Sequence, residues 1–526
     1  MSGSHSGRYA GLVAAGILLS RLAGLVRERV FSYFFGLSDA GDAFKAAFKI
    51  PNYLQNLFGE GVLSASFIPV YARLLAEGDE REATRVAGAI FSLLALVVSV
   101  FVLAGVLATP WLVDLIAPGF AGEKRELLVR LVKIIFPGTG LLVLSAWCLG
   151  VLNSHRRFFL SYAAPLAWNA VMIASLAGFG PRLGQFQLAS ITAWASVAGS
   201  GLQFLVQLPT VLRLARGLHL GLRLRSPHVR QVVINFVPVF LSRGVVQVSA
   251  YVDNLLASFL STGAVTALYN AQTIYLLPVS LFGMSVSAAE LPLMSGALGD
   301  TEEIHATLRE RLDTGLRRIA FFVVPSAIAF IALGDLVTAV IYQTGRFGRA
   351  DSTFVWAVLA GAGLGLLAST SGRLYASTFY ALRDTRTPLR YAIVRVTLTA
   401  GLGYLAAFHL PGLLGLERRW GVVGIAAASG TVGWVEYALL RRSMNRRIGR
   451  TGVPGRRLAS LWLAAGLAAI VGWGGKLGLG VEQPLLSGLG VLALYGVSYF
   501  GLTLALRVPE ARWAADRVRQ LGRRRG

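Results

Sequence analysis

The sequence is poor in charge. Aspartate, glutamate, lysine and arginine together make up 14% of the 526 residues, hydrophobic side chains make up 55%, and the mean hydropathy is +0.62. A soluble chain of this size carries about a quarter charged residues, so a soluble globular fold is excluded. Sulfur chemistry is excluded too, because the single cysteine, Cys148, sits in an apolar run with no partner for a disulfide or a cysteine metal site. The six histidines fall in tails, loops or span ends and lack metal-ligand spacing. No GxxxxGK[ST] loop is present to cradle a nucleotide. These gaps argue against an ATP-hydrolysing enzyme, and neither a cofactor nor a metal is expected.

What remains is long apolar segments, without strand-like alternation, and a large excess of basic residues. The segments are about 20 to 30 residues long, the length of membrane-spanning helices. Fourteen are expected, at 9–35, 40–72, 85–108, 127–152, 160–179, 187–212, 231–260, 264–297, 319–343, 354–381, 389–409, 421–440, 458–478 and 484–506. The first begins near Tyr9 without a small-residue cleavage site and reads as a retained helix. A net charge of +24 invites a nucleic-acid reading, but its distribution points to a membrane. Threaded through fourteen spans, thirty-two lysines and arginines fall on one side, ten on the other and eight within spans. That asymmetry places both termini in the cytoplasm and gives the basic loops to topology and anionic lipid headgroups, not to nucleic acid.

Five of the eight intramembrane cations cluster in the first two spans: Arg21, Arg27, Arg29, Lys45 and Lys49, beside Glu28, Asp42 and Glu60. A charge in hydrocarbon costs about 2.5 to 3.5 kcal/mol on insertion scales, so these groups should face a watery cavity or one another. Arg21 and Glu28 are seven apart and share a helix face, and Asp42, Lys45 and Lys49 form one stripe. Pro51 should kink the second span and leave Asn52, Gln55 and Asn56 near a bend at mid-membrane depth. Two readings stand side by side. The cluster is a cationic pocket for a phosphate-bearing ligand, or Asp42 with Lys49 and Glu28 with Arg21 neutralise one another. Arg243 and Arg373 are single cations of later spans, each either a ligand contact or a partner for Asp253 or Glu290, and Arg395 is expected to snorkel to the membrane surface.

The chain also echoes itself. LLSR at 18–21 returns as FLSR at 240–243, and NLFGEGVLSASFIP at 56–69 returns as SLFGMSVSAAELP at 280–292. Six spans separate the copies, an even number, so both halves share one orientation, as in parallel-repeat transporters. The expected fold is an all-α polytopic membrane protein with fourteen helices. It has a first lobe at 1–217, a second at 218–447, and two further helices with a basic tail at 448–526.

SRLAGLVRE (20–28), GDAFKAAFKIPNYLQNLFGEG (41–61), SFIPVY (66–71), YQTGRF (342–347) and FYALRDTRTPLRYAI (379–393) together resemble the MurJ/MviN lipid II flippases of the MOP exporter superfamily. The likeness runs the length of the chain in order. It implies two six-helix lobes, an added helix pair forming a groove for a polyprenyl tail, and outward movement of an undecaprenyl-diphosphate-linked peptidoglycan precursor by alternating access in the bacterial cytoplasmic membrane. By matching position it implies substrate contact for Arg21, Arg27, Asp42, Lys49, Glu60 and Arg373. Members commonly carry an arginine soon after PN, where this chain has Gln55, and an Asp-Arg pair in span eight, where it has Gln272 and Thr273. Span-eleven positions that some members use for sodium read Thr399 and Gly403, while Asp253 in span seven is retained. Arg243 is expected to compensate in part for the missing cations, so the candidate set is Arg21, Arg27, Asp42, Lys49, Asn52, Gln55, Glu60, Arg243 and Arg373. The expected partners are a polyprenyl-diphosphate-linked glycan lipid and membrane lipids, with cell-wall synthesis proteins a further class. The alternatives are export of another polyprenyl-linked glycan or of drugs, or an inactive membrane scaffold.

Overall fold

A computed structural model of the chain describes residues 3–222, 226–296, 300–479 and 484–523, with side chains left aside at 3–15, 17, 50, 60, 238–250, 292, 479 and 517–523. Among the described residues there is no β-strand, only an isolated bridge between Thr344 and Phe347. The chain divides into two compact units, 1–265 with 344–347, and 266–343 with 348–526.

The first unit contains α1 (Gly3–Phe35), α2 (Asp39–Ala47), α3 (Lys49–Phe58), α4 (Glu60–Ser66), α5 (Ile68–Ala76), α6 (Glu80–Leu107), α7 (Thr109–Ile116), α8 (Gly122–Ser154), α9 (Phe158–Ala163), α10 (Pro165–Phe179), α11 (Gln185–Leu214) and α12 (Pro227–Ser258). Its axis is α8, which packs against α2, α3, α4, α6 and α11. Leu131, Trp147 and Leu152 of α8 are fully enclosed, and the Trp147 indole N–H donates to the Ala87 carbonyl at 3.2 Å. Helix α6 is the opposite case, apolar beyond its charged opening at residues 80–85, with only 22% of its apolar stretch buried in protein. Such a surface has lipid as its solvent.

The second unit contains α13 (Ala264–Pro278), a π-helical turn (Val279–Met284), α14 (Ser285–Ser295), α15 (Thr301–Ala332), α16 (Gly334–Tyr342), α17 (Arg349–Gly363), α18 (Leu366–Ala381), α19 (Arg386–Phe408), α20 (Leu410–Leu413), α21 (Gly421–Ile448), α22 (Gly455–Leu479), α23 (Pro484–Ala505) and α24 (Pro509–Arg523). Here α15 is the hub, packed on α14, α16, α17, α18 and α22. Asp300 and Glu303 close a capping box at its start. The last long pair, α22 and α23, packs together and onto α15 and α16.

Among the described residues ten helices are long and apolar enough to cross a bilayer, or eleven when α17 and α18, bent by 44°, count as one span. The fourteen expected are therefore not reached on length and composition. Two of the three missing spans, 9–35 and 231–260, run through α1 and α12 where side chains lie outside the described set. The third, 40–72, departs for a physical reason: it is four short helices, not one long one. Pro51 has no N–H to give the Ala47 carbonyl, and α2 ends at Ala47, the ladder resuming with Asn52 N–H to Phe48 O at 3.0 Å. A second break at Gly59 takes the backbone to φ −85°, ψ −158°, extended, and separates α3 from α4. The echoed LFG of the second unit, residues 281–283, falls inside the π-helical turn after Pro278. Both copies thus sit at a defect in helix regularity, where a chain bends with least cost.

A β-carbon at Gly59 would stand 2.3 Å from the Gln55 carbonyl oxygen, whereas one at Gly24 would meet nothing within 4 Å. Gly59→Ala should lower thermal stability in detergent by about 1–3 kcal/mol through that overlap. Gly24→Ala should be neutral or stabilise by up to about 1 kcal/mol.

Candidate functional site

Helix α1 turns into α2 through residues 36–38, with the Ser38 hydroxyl capping α2 by accepting the Gly41 N–H at 3.2 Å. The turn brings the last third of α1 against α2, and their charges meet. Glu28, 3% exposed, accepts a hydrogen bond from Arg27 at 2.6 Å and forms an ion pair with Lys45, itself 4% exposed. Helix α10 supplies the rest of the setting. Asn169 accepts from Arg27 at 3.1 Å, and the guanidinium lies 4.6 Å from the centre of the Trp168 ring. The Asn169 amide donates to the Pro165 carbonyl at 3.0 Å, which turns its oxygen towards Arg27. Lys45 packs over the Phe31 ring at 4.1 Å. Two cations thus share one carboxylate, with stacking spreading part of the charge over aromatic faces.

Arg21, about 9 Å nearer the chain start along α1, is exposed, and among the described residues no hydrogen bond or ion pair holds it. The shared face of Arg21 and Glu28 therefore does not give a pair: Glu28 turns to Arg27 and Lys45. Asp42, 1% exposed, is clasped elsewhere, by Lys124 of α8 at 2.8 Å and by the Gly263 N–H at 2.8 Å. Asp39 joins it, accepting from Lys124 at 2.7 Å and from the Thr262 hydroxyl at 2.9 Å. Gly263 makes this closure possible, since it has φ +86° and a β-carbon there would stand 2.8 Å from Leu37. The stripe expected of Asp42, Lys45 and Lys49 ends at the Phe48 break, and Lys49 opens α3, half-buried, within electrostatic reach of Asp253 on α12. Asn52 and Gln55 follow it on α3, both half-buried.

The remaining candidates are placed less fully. Glu60 heads α4 and Arg243 lies in α12, but both side chains fall outside the described residues. Arg373 belongs to α18 of the second unit and is exposed. Trp168, Asn169 and Lys124 were missed from sequence. An asparagine in the otherwise apolar PLAWNAV run was the available signal, because an amide in a bilayer needs a partner.

The DTRTP segment has a structural task. Asp384 caps the start of α19, accepting the Arg386 and Thr387 N–H groups at 3.0 Å each, the Thr387 hydroxyl at 2.7 Å and the Arg447 guanidinium at 2.5 Å. Partial desolvation pushes its carboxyl up, but Thr387 and Arg447 outweigh this and hold it below the ordinary carboxylate range. Among the described residues no group of three or more histidine, cysteine, aspartate or glutamate side chains is placed to hold a metal.

The profile of the family described as Lipid II flippase MurJ matches residues 31–481. A probable lipid II flippase MurJ of Rhizobium tropici is 33% identical, over 83% of this chain and 80% of its own. A lipid II flippase MurJ of Burkholderia cenocepacia is 33% identical over 77% and 79%. Among solved structures, lipid II flippase MurJ in an inward closed conformation superimposes with a TM-score of 0.75 at 22% identity, covering 94% of this chain and 99% of that one. An inward-facing MATE multidrug transporter of the MOP superfamily gives 0.64 at 17% identity, over 81% and 95%.

Glu28→Gln removes the carboxylate that Arg27 and Lys45 share and should cost about 3–5 kcal/mol in thermal unfolding, while Arg21→Gln, at an exposed site with no hydrogen bond or ion pair among the described residues, should leave the melting temperature unchanged. Because the Asp384 carboxyl is held low, its stabilisation is complete above the ordinary carboxylate pKa and is lost as pH falls through the lowered value. The protection factors of amides 386–390, corrected for the intrinsic pH dependence of exchange, should fall on acidification in the wild type and be low and flat with pH in Asp384→Asn.

Proposed function

The chain belongs to the lipid II flippase MurJ family, and from that premise we propose that it carries lipid II, an undecaprenyl-diphosphate-linked peptidoglycan precursor, from the inner to the outer leaflet of the bacterial inner membrane by alternating access. It is a transporter, and its problem is physical: the headgroup is charged and the tail is not. A diphosphate entering hydrocarbon loses its water, and fixed guanidinium donors replace that water with paired, charge-assisted hydrogen bonds.

The observation that carries the reading is Arg27. Its guanidinium is oriented on three sides by Glu28, Asn169 and Trp168, and it shares its carboxylate with a second cation. Arg21 adds an exposed positive charge on the same helix. Arg21 and Arg27 are assigned to the diphosphate, and Lys49, Asn52 and Gln55 to the following polar part of the headgroup. Asp42 is assigned to holding the turn at 262–263, and Glu60 and Arg243 rest on the family resemblance alone. Both termini are cytoplasmic in this reading, supported by the basic loops on that side. The lobes are 1–217 and 218–447, and the remaining helices α22 and α23, packed on α15 and α16, are the appended pair that receives the tail. Cell-wall synthesis proteins are the protein partners this reading implies. An inside-negative potential favours export, each negative charge moved outward gaining up to about 2.3 kcal/mol per 100 mV.

Depleting the protein in its native host should make lipid II accumulate on the inner leaflet; undiminished delivery to the outer leaflet after depletion refutes the assignment. Arg21→Ala and Arg27→Ala should each abolish complementation while membrane insertion stays at the wild-type level.

A further inference from the structure

The second unit holds two arginines that its fold leaves with unused donors. Arg395 of α19 does not snorkel to the surface as its sequence position led us to expect. It is half-buried, and its Nη1 donates to Glu436 of α21 at 2.9 Å. Its Nε is buried and, among the described residues, has no hydrogen-bond partner; the same is true of the Thr399 hydroxyl, one helical turn further along the same face. Arg373 of α18 is exposed, and no hydrogen bond or ion pair among the described residues holds it. The two guanidiniums act on each other electrostatically, and Tyr275 of α13, near Ser369, lies within reach of both.

Two guanidiniums against one carboxylate leave an excess positive charge inside a membrane-embedded unit, and a buried N–H without an acceptor is costly. The sign of the unmade bond selects the ligand, because an N–H donor accepts an anion and rejects a metal cation. We propose that Arg395, together with Arg373, is an anion-binding pair of the second unit that takes a phosphate or carboxylate oxygen of the transported lipid's headgroup. Glu436 fixes the Arg395 fork from one side, leaving the Nε edge towards the ligand, and the Thr399 hydroxyl is a further donor beside it. The identity of that ligand rests on the reading of the chain as a lipid II transporter; the anion site itself does not.

The test is equilibrium binding to the full-length protein in nanodiscs, using lipid II, undecaprenyl diphosphate and inorganic pyrophosphate. The proteins compared are the wild type, Arg395→Lys, Arg395→Gln and the double variant Arg395→Gln with Glu436→Gln. Lipid II binding should weaken roughly tenfold or more in Arg395→Gln, recover in part in Arg395→Lys, and stay weak in the double variant, which removes the stranded carboxylate without restoring a donor. A loss shared by undecaprenyl diphosphate assigns the oxygen to the diphosphate, and a loss confined to lipid II assigns it to a carboxylate of the headgroup peptide. Wild-type affinity in Arg395→Gln, or full recovery in the double variant, overturns the proposal by reducing Arg395 to a counter-charge for Glu436. A wild type that binds pyrophosphate through Arg395 but not lipid II keeps the anion pair and refutes the substrate.

Discussion

A carboxylate buried in a membrane protein is stable only if positive charge reaches it, and Glu28 meets that demand twice over. Arg27 approaches from its own helix and Lys45 from the next. The Lys45 contact ties α2 back onto α1, while Asp39 and Asp42 of the same helix face Lys124 and the turn at 262–263. Among the described residues it also sets two cations against one carboxylate, an excess of positive charge, which is what a site for an anion requires. Were Glu28 matched by one cation alone, the same residues would form a closed structural pair with little field beyond it.

Charge is graded along this corner. Arg21 and Arg27 lie on the second half of α1, while Asp39 and Asp42 stand beyond its end, at the start of α2, with Lys124 between them. An anion held by the arginines would meet carboxylates at the other end. The broken helices α2 to α5 add mechanical latitude in the same region, because a segment interrupted at Phe48, Gly59 and Phe67 changes direction by rotating a few dihedrals instead of bending a continuous ladder.

Much of this was legible in the residues. The helical, membrane-spanning class follows from hydropathy alone, and the concentration of cations in the first two spans pointed to the corner where Glu28, Arg27 and Lys45 meet. The pairing was not legible. Periodicity put Glu28 with Arg21 because seven residues close two turns, but periodicity says nothing about which neighbour covers a face. Arg21 is exposed, whereas Lys45 arrives from another helix. Pro51 announced a break, yet the break at Gly59 depends on a carbonyl that only the folded backbone brings near. Asn169 and Trp168 were hidden because one amide and one indole in an apolar span look like packing until a guanidinium is found between them. Arg395 misled in the opposite sense: its place near the end of a span pointed to the surface, and a carboxylate forty-one residues on holds it inside.

The clasp at Asp42 also sets an order of events during synthesis. Its two donors come from far along the chain: Lys124 lies 82 residues later and the Gly263 amide 221 residues later. At a ribosome speed of about 5–20 residues per second, the lysine follows the aspartate by roughly 4–16 s and the glycine by roughly 11–44 s. The nascent first unit therefore waits with an acidic pair answered by a single lysine until the turn after its last helix has emerged. Maturation of the corner is tied to completion of the unit, and a chain truncated before residue 263 could never finish it.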